Sequence, residues 1–427
     1  MEKIMHLTTD VLVIGSGISG LIAAIASARA GQRVSIVTAG SGTYAISSGC
    51  IDLLGQVQGK FVHDPWQSMF QLPDDHPYRL VGQDNIQKAL DFFTQVTASH
   101  GGSWAFNVDS DDHPINTLVP TIIGTFKPSY LLPKTIDPKS LFSAKSVLIC
   151  GVTGLRDMSP RLIAHNLAQN KRLAQTKFTP ILLPSPSDHP HRSLTALDLA
   201  RFVNTEEGLK WLNVSLGKYA KEYDCILLPP ILGIDNSEEI WANLKNMLQT
   251  NVSEMLTTPP GVGGMRLHNI LLREATRLHI RILENSKITS ARVEANNCLT
   301  VATGTKNPLE ISAKAFVLAT GGILGGGLEI EPNLALEPIF ELKQALDSAK
   351  MGMDDIFGPH PIAKIGLRAD HNLHPILNQS DDVLENVFLA GKIMAGYDYA
   401  AEKCGHGVAI ATGWLAGTLA ANSAQPA

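Results

Sequence analysis

Apolar residues in this chain fall in short unbroken runs, and three of those runs end in glycine. Val11–Ile14 is followed by Gly15, Ala315–Ala319 by Thr320-Gly321-Gly322, and, after Asn386, Val387–Ala390 by Gly391. A run of four or five apolar residues closed by a turn signal predicts a strand buried on both faces, as a parallel sheet requires. After Gly15 the chain stays small and apolar to Ala28, and Val34–Val37 forms a further run. Residues 11–38 therefore read as strand, glycine turn, helix and second strand. From Ile280 through Ile311 the pattern changes to alternation, which predicts a hairpin. Gly405 to Ala421 reads as a terminal helix opened by Gly-His-Gly.

The first glycine turn carries chemistry. Gly15 permits a tight turn, Gly17 lets the backbone approach a pyrophosphate, and Gly20 lets the helix pack closely on the strand, while the helix N-terminus attracts the phosphate charge. In the usual pattern the second strand ends in an Asp or Glu that holds the adenosine ribose. Thr38 stands there instead. Its hydroxyl lacks the paired acceptors of a carboxylate. Either the cofactor is held differently, or it lacks the adenosine half.

These elements predict an α/β chain: a discontinuous Rossmann-like FAD/NAD(P)-binding domain with a parallel sheet, formed by residues 1–72 and 259–427, and an inserted α+β cap over 73–258. The insert contains strand signals at Ser146–Cys150 and Cys225–Leu228, and Pro184, Pro186, Pro190 and Pro229-Pro230 interrupt it. At 427 residues, 44% hydrophobic and 18% charged, the chain has the length for two domains and an ordinary globular composition. A net charge of -5 without a Lys/Arg cluster excludes a nucleic-acid partner. Cys50, Cys150, Cys225, Cys298 and Cys404 lie far apart and form no CxxC, so neighbours in sequence build no iron–sulfur or zinc site, and reduced thiols in the cytoplasm are expected. His189 and His191 are too close together in a proline-broken loop, with no third ligand, so no metal is assigned. Val11 to Ala28 has the length of a spanning or signal segment, but its glycine turn and the two acids before it argue against both.

The combination of GSGISG at 15–20, LATGG at 318–322 and NVFLAG at 386–391 resembles flavoproteins of the two-dinucleotide-binding-domain type, including fumarate reductase-like enzymes. TYAISSGCIDLLG at 43–55, ATGGILGGGLEIEPNLALEPIF at 319–340 and GYDYAAEKCGHGV at 396–408 are similar to the B subunits of anaerobic glycerol-3-phosphate dehydrogenases. The resemblance implies a respiratory enzyme oxidising sn-glycerol 3-phosphate to dihydroxyacetone phosphate. It implies a catalytic flavoprotein partner subunit, a membrane-bound iron–sulfur subunit and the quinone pool, with fumarate or nitrate as terminal acceptor. The chain would be cytoplasmic, peripheral at the inner face of the cell membrane through a partner. The family's cofactor is FMN, which needs no adenosine clamp at Thr38; FAD is the alternative.

In this class the loop after the second strand lies along the flavin edge, so Ser47, Ser48, Gly49 and Cys50 join Gly15, Gly17, Gly20, Thr38, Thr320, Gly321, Gly322 and Gly391 as cofactor-binding positions. Lys392 follows Gly391 where most such flavoproteins carry an Asp on the ribityl chain. Gly405, His406 and Gly407 head a helix whose positive end would stabilise charge on a reduced flavin. Oxidising an alcohol needs a base for the hydroxyl proton, for which His360 and His406 are candidates. Arg266, Arg368 and Lys392 are candidates for the substrate phosphate. A self-sufficient flavin oxidoreductase acting on another small anion and a non-catalytic electron-relay or assembly subunit remain alternatives.

Overall fold

Strands buried on both faces build two parallel sheets. The structure is a computed structural model and describes residues 5–186, 193–304, 308–356, 358–377 and 382–425; His189 and His191 lie outside them. In chain order the elements that matter are β1 (Met5–Thr8), β2 (Val11–Ile14), α1 (Ile18–Arg29), β3 (Val34–Val37), β4 (Ser146–Val152), α2 (Pro160–Ala168), β5 (Lys177–Leu183), α3 (Ala196–Val203), α4 (Glu206–Gly217) and β6 (Cys225–Leu228). They continue as α5 (Ser237–Leu248), β7 (Asn251–Glu254), α6 (Val262–Arg277), β8 (Arg281–Leu283), β9 (Ile288–Glu294), β10 (Asn297–Thr303), β11 (Leu309–Ser312), β12 (Ala315–Leu318), β13 (Val387–Leu389) and α7 (Gly405–Ser423). Two compact units result. One comprises Met1–Thr43, Asp52–Val96 and Leu271–Ala427, the other Tyr44–Ile51 and Thr97–Ile270.

The first unit is built on a five-stranded parallel sheet in the order β8-β3-β2-β12-β13. Ile14 lies opposite Val37 on one side and Leu318 on the other, so β2 occupies the centre. All residues of β2, β3, β12 and β13 are buried, which explains their unbroken apolar runs. The direction of winding reverses between β2 and β12. Ligands of such sheets bind beyond the carboxyl ends of the strands at that reversal, and all three glycine turns lie at those ends of β2, β12 and β13. Beside this sheet, β1 pairs parallel with β11, and β11, β10 and β9 follow antiparallel. The alternation from Ile280 thus resolves into two pieces: Arg281–Leu283 joins the parallel sheet, and the hairpin begins at Ile288.

Small residues let α1 and α7 meet backbone to backbone. A Cβ added at Gly413 would lie 2.5 Å from the Ser19 carbonyl oxygen, and one at Gly417 would lie 2.3 Å from that of Ala23. The Ser27 hydroxyl donates to the Gly417 carbonyl at 2.7 Å. At the far end of α1, Arg29 and Arg277 both bind the fully buried carboxylate of Glu274, at 2.6 and 2.7 Å. Long apolar runs here serve packing: no described helix is long and apolar enough to cross a membrane.

The second unit carries its own parallel sheet, in the order β5-β4-β6-β7. Alternate residues of β4 feed two cores. Leu148, Cys150 and Val152 meet α3, α4 and α5, whereas Val147 and Ile149 meet α2. The insert is therefore alternately wound, with helices on both faces, a finer organisation than the α+β expectation. Its helices were not legible because their exposed faces are polar and their apolar stripes short. Pro180 is tolerated in β5 because that strand lies at the sheet edge.

Replacing Gly417 by valine is expected to lower unfolding stability by about 3 kcal/mol, because the branched side chain would force α7 off the Ala23 backbone. Thermal unfolding of the variant checks this; an unchanged midpoint would mean that the two helices separate freely.

Candidate functional site

The glycines of the first turn have different jobs. A Cβ at Gly15, whose φ is +111°, would fall 2.3 Å from the Ala319 carbonyl oxygen, and one at Gly20 would fall 2.0 Å from that of Gly15. These two glycines join β2, α1 and β12. Gly17 differs: a Cβ there meets nothing within 4 Å. It is the N-cap of α1, extended at φ -63° and ψ 179°, with no side-chain cap and no acidic residue in the first turn. The result is an unfilled cradle in front of backbone amides, suited to an anion.

At the adjacent strand end, the Thr320 hydroxyl oxygen is buried and has no hydrogen-bond partner. Leaving such a group unpaired costs about 1–3 kcal/mol unless a ligand satisfies it. Gly321 is left-handed at φ +76°. A Cβ at Gly322 would lie 3.0 Å from the Lys392 side chain, so the second and third turns touch. Gly391, also left-handed at φ +74°, leaves room for the Ser19 hydroxyl and donates its N–H to Thr412 Oγ1 at 2.9 Å. The open cradle and the orphaned hydroxyl together fit a phosphate-bearing flavin cofactor. No feature of the site places the adenosine half: Thr38 accepts from Ser16 Oγ at 2.9 Å and donates to the Gly40 carbonyl, so its hydroxyl is spent within the protein.

Lys392 brings a buried charge to this place. Its ammonium donates to the Ile365 carbonyl at 3.0 Å and lies 4.7 Å from the centre of the Tyr397 ring. Burial pushes its pKa down to about 8, against the opposing pull of Asp398 and Glu402.

The first turn of α7 is clamped from below. The Gly407 N–H donates to the Asp52 carbonyl at 3.0 Å, and a Cβ at Gly407 would lie 2.2 Å from the Tyr78 hydroxyl, which itself donates to the Leu53 carbonyl. A Cβ at Gly405 would lie 3.2 Å from that of Tyr399. His406 Nδ1 lies 3.8 Å from a buried oxygen of Asp52. Nearby, His76, Glu402 and Cys404 form a buried cluster. His76 Nδ1 accepts from the Tyr78 N–H at 3.1 Å, so the imidazole proton sits on Nε2, facing Glu402 at 3.2 Å. That tautomer spends the nitrogen a metal would need, and the cluster is a hydrogen-bonded brace.

In the second unit, Ser47, Ser48, Gly49 and Cys50 form a tight loop on the start of α6. Ser47 Oγ accepts from the Gly49 N–H, Ser48 Oγ accepts from Lys127 Nζ, and the Gly49 carbonyl accepts from Trp104 Nε1. Gly49 has no room for a side chain, since its Cβ would lie 2.6 Å from Gly263. Ser47 and Ser48 line a narrow crevice with Gly261, Gly263 and Arg266. Arg266 is itself buried, bound to both oxygens of Glu254 at 2.5 and 2.9 Å and to the Gly233 carbonyl at 2.8 Å, which makes it a structural ion pair. The Tyr44 hydroxyl in the same unit is buried without a hydrogen-bond partner.

His360 and Arg368 belong to the first unit. His360 accepts from the Met353 N–H and donates to the Ile356 carbonyl, so both ring nitrogens brace its own loop. Arg368 is exposed beside Leu367, which bridges to Met394. Sequence reasoning missed Asp52, Thr412 and the His76–Glu402 brace. A lone acid inside GCIDLLG was the available signal for Asp52.

A family model described as FAD binding domain matches residues 10–408. The B subunit of the anaerobic glycerol-3-phosphate dehydrogenase of Vibrio cholerae is 29% identical over 420 residues, covering 95% of each chain. A protein of Halobacterium salinarum, named as the probable B subunit of an anaerobic glycerol-3-phosphate dehydrogenase, is 31% identical, covering 98% of this chain and 99% of that one. Among solved structures, the open conformation of a flavocytochrome c3 fumarate reductase matches with TM-score 0.43 and 11% identity, over 98% of this chain and 79% of the other.

Two tests follow from the site. Gly17→Val is expected to fold normally, since a Cβ there meets no protein atom within 4 Å, yet to be purified without its flavin cofactor; retention of the full complement would contradict the cradle. Lys392 titrates below its ordinary value, so the unfolded chain holds that proton more tightly between about pH 8 and the ordinary lysine value, and stability rises with pH across that window. Below it the cost of burial, about 3 kcal/mol, is present in full. Lys392→Met is therefore expected to stabilise the cofactor-free protein at pH 7 and to lose that advantage as pH rises, read by denaturant unfolding; a destabilised variant at pH 7 would contradict this.

Proposed function

The chain belongs to the FAD-binding domain family and, within it, to the B subunits of anaerobic glycerol-3-phosphate dehydrogenase, and we propose on that premise that it is the flavin-bearing dehydrogenase subunit of a respiratory complex that oxidises sn-glycerol 3-phosphate to dihydroxyacetone phosphate. The observation that carries the flavin is the pairing of the open Gly17 cradle with the orphaned Thr320 hydroxyl at neighbouring strand ends. Lys392 supports it, as a buried cation for which a bound anion offsets the cost of burial. The cofactor proposed is FMN, because the Thr38 hydroxyl is spent on Ser16 and Gly40 and offers nothing to an adenosine ribose.

When bound, the flavin accepts hydride from the substrate carbon. The residues supply binding and proton transfer. The amides of Gly17 and the following turn hold a phosphate, and Thr320 gives it or the ribityl chain a hydrogen bond. The positive end of α7 favours negative charge on the reduced cofactor. His406 takes the hydroxyl proton, a role for which it is better suited than His360, whose ring nitrogens are engaged in its own loop. With Arg266 committed to Glu254, Arg368 is the exposed cation for the substrate phosphate.

The complex would add a catalytic flavoprotein partner and a membrane-bound iron–sulfur subunit that passes electrons to quinone. Attachment at the inner face of the cell membrane would come through that partner; no described helix of this chain is long and apolar enough to cross a membrane. The test is to denature the purified chain and identify its released flavin by chromatography and mass, then to mix intact protein anaerobically with glycerol 3-phosphate, with and without the partner subunits. FMN and substrate-dependent bleaching are expected. FAD would overturn the reading of Thr38, and protein without flavin would overturn the assignment.

A further inference from the structure

We propose that Asp52 is a positioning residue that holds His406 as the base for the substrate's hydroxyl proton. The inference rests on the dehydrogenase reading above and adds a residue to it. Asp52 comes from the loop below α7 and engages the helix twice: its carbonyl accepts the Gly407 N–H at 3.0 Å, and a carboxylate oxygen lies 3.8 Å from His406 Nδ1. Its side chain is 8% exposed and that of His406 is 17% exposed. A carboxylate so withdrawn from water needs a compensating charge, and imidazolium supplies one at the moment the base is protonated.

The orientation selects the reacting nitrogen. With Nδ1 turned to Asp52, Nε2 takes the proton. In the balanced step the hydroxyl O–H bond breaks and its proton goes to Nε2, the carbon–hydrogen bond breaks and its electron pair leaves as hydride to the flavin oxidant, and the C–O bond becomes a carbonyl. Asp52 stays ionised throughout and stabilises the imidazolium, as a buried carboxylate does for a catalytic histidine elsewhere.

Other titratable groups close around this turn are Tyr78, Tyr399, His76, Glu402 and Cys404. Burial pushes the Tyr78 hydroxyl and the Cys404 thiol well above their ordinary values, so both stay neutral. Glu402 remains ionised although its burial opposes that, because His76 and Lys364 outweigh burial; its carboxylate is turned to those two groups, at 3.2 and 3.5 Å. Asp52 is therefore the carboxylate whose charge faces His406.

The experiment uses the flavin-loaded chain with its histidines isotopically labelled, the His406 resonance being identified by its absence in His406→Gln. With a carboxylate oxygen of Asp52 3.8 Å from His406 Nδ1, the His406 titration midpoint is expected to fall in Asp52→Asn and to return towards the wild-type value in Asp52→Glu, with flavin content unchanged in all three. Substrate-dependent bleaching, followed against pH, is expected to shift its acid limb downward by the same amount in Asp52→Asn and to slow at least about a hundredfold in His406→Gln. An unchanged midpoint in Asp52→Asn would overturn the pairing whatever the activity. A shifted midpoint with no bleaching of the wild-type complex by glycerol 3-phosphate would overturn the base role together with the dehydrogenase reading. If Asp52→Asn fails to retain flavin, the midpoint in Asp52→Glu decides, a value unlike that of the wild type overturning the proposal.

Discussion

No side chain fits between Gly15 and the carbonyl of Ala319, and the rest of the nucleotide-binding unit depends on that contact. It fixes β2 against β12 where the sheet reverses its winding, while Gly20 seats α1 directly on the Gly15 carbonyl. Because these approaches are made by backbone alone, the amides at the start of α1 stay uncovered and aimed beyond the strand ends. The same device recurs on the other side of the helix, where Gly413 and Gly417 bring α7 onto Ser19 and Ala23. Terminal and initial parts of the chain are thereby locked into one body although hundreds of residues separate them.

What this scaffold presents to a ligand is electrostatically uneven. Open amides at Gly17, the buried ammonium of Lys392 and the positive end of α7 all favour negative charge, and the Thr320 hydroxyl lacks a partner. At Thr38 the opposite holds, since its hydroxyl is satisfied by neighbours. The saturated hydroxyl of Thr38 is the ground on which FMN, rather than its adenylated form, is proposed. Beneath α7, polar side chains are paired in buried braces, which hold the helix start still so that a single imidazole, His406, is turned towards its carboxylate.

The sequence disclosed the sheet because strands buried on both faces leave unbroken apolar runs, and each of the three adjacent turns carried its own glycine. It disclosed the order of roles less well. Gly15, Gly17 and Gly20 look alike in sequence, yet two of them serve close packing and one faces open space, a difference set by Ala319 from the far end of the chain. Arg266 looked available for a phosphate because its partner Glu254 lies twelve residues away on a separate element. His360's partners, Met353 and Ile356, are local, but an irregular loop gives no periodicity from which to read them. The alternating winding of the insert escaped notice because its helices carry narrow apolar stripes between polar faces.

The most direct measurement of the central claim is amide hydrogen exchange on the flavin-stripped chain before and after FMN is restored. The account predicts added protection in the peptides spanning Gly15–Leu21, Thr320–Gly322 and Gly391–Val408, with the core strands unchanged. Saturating flavin that leaves those three segments exchanging as before would place the cofactor elsewhere and contradict the account.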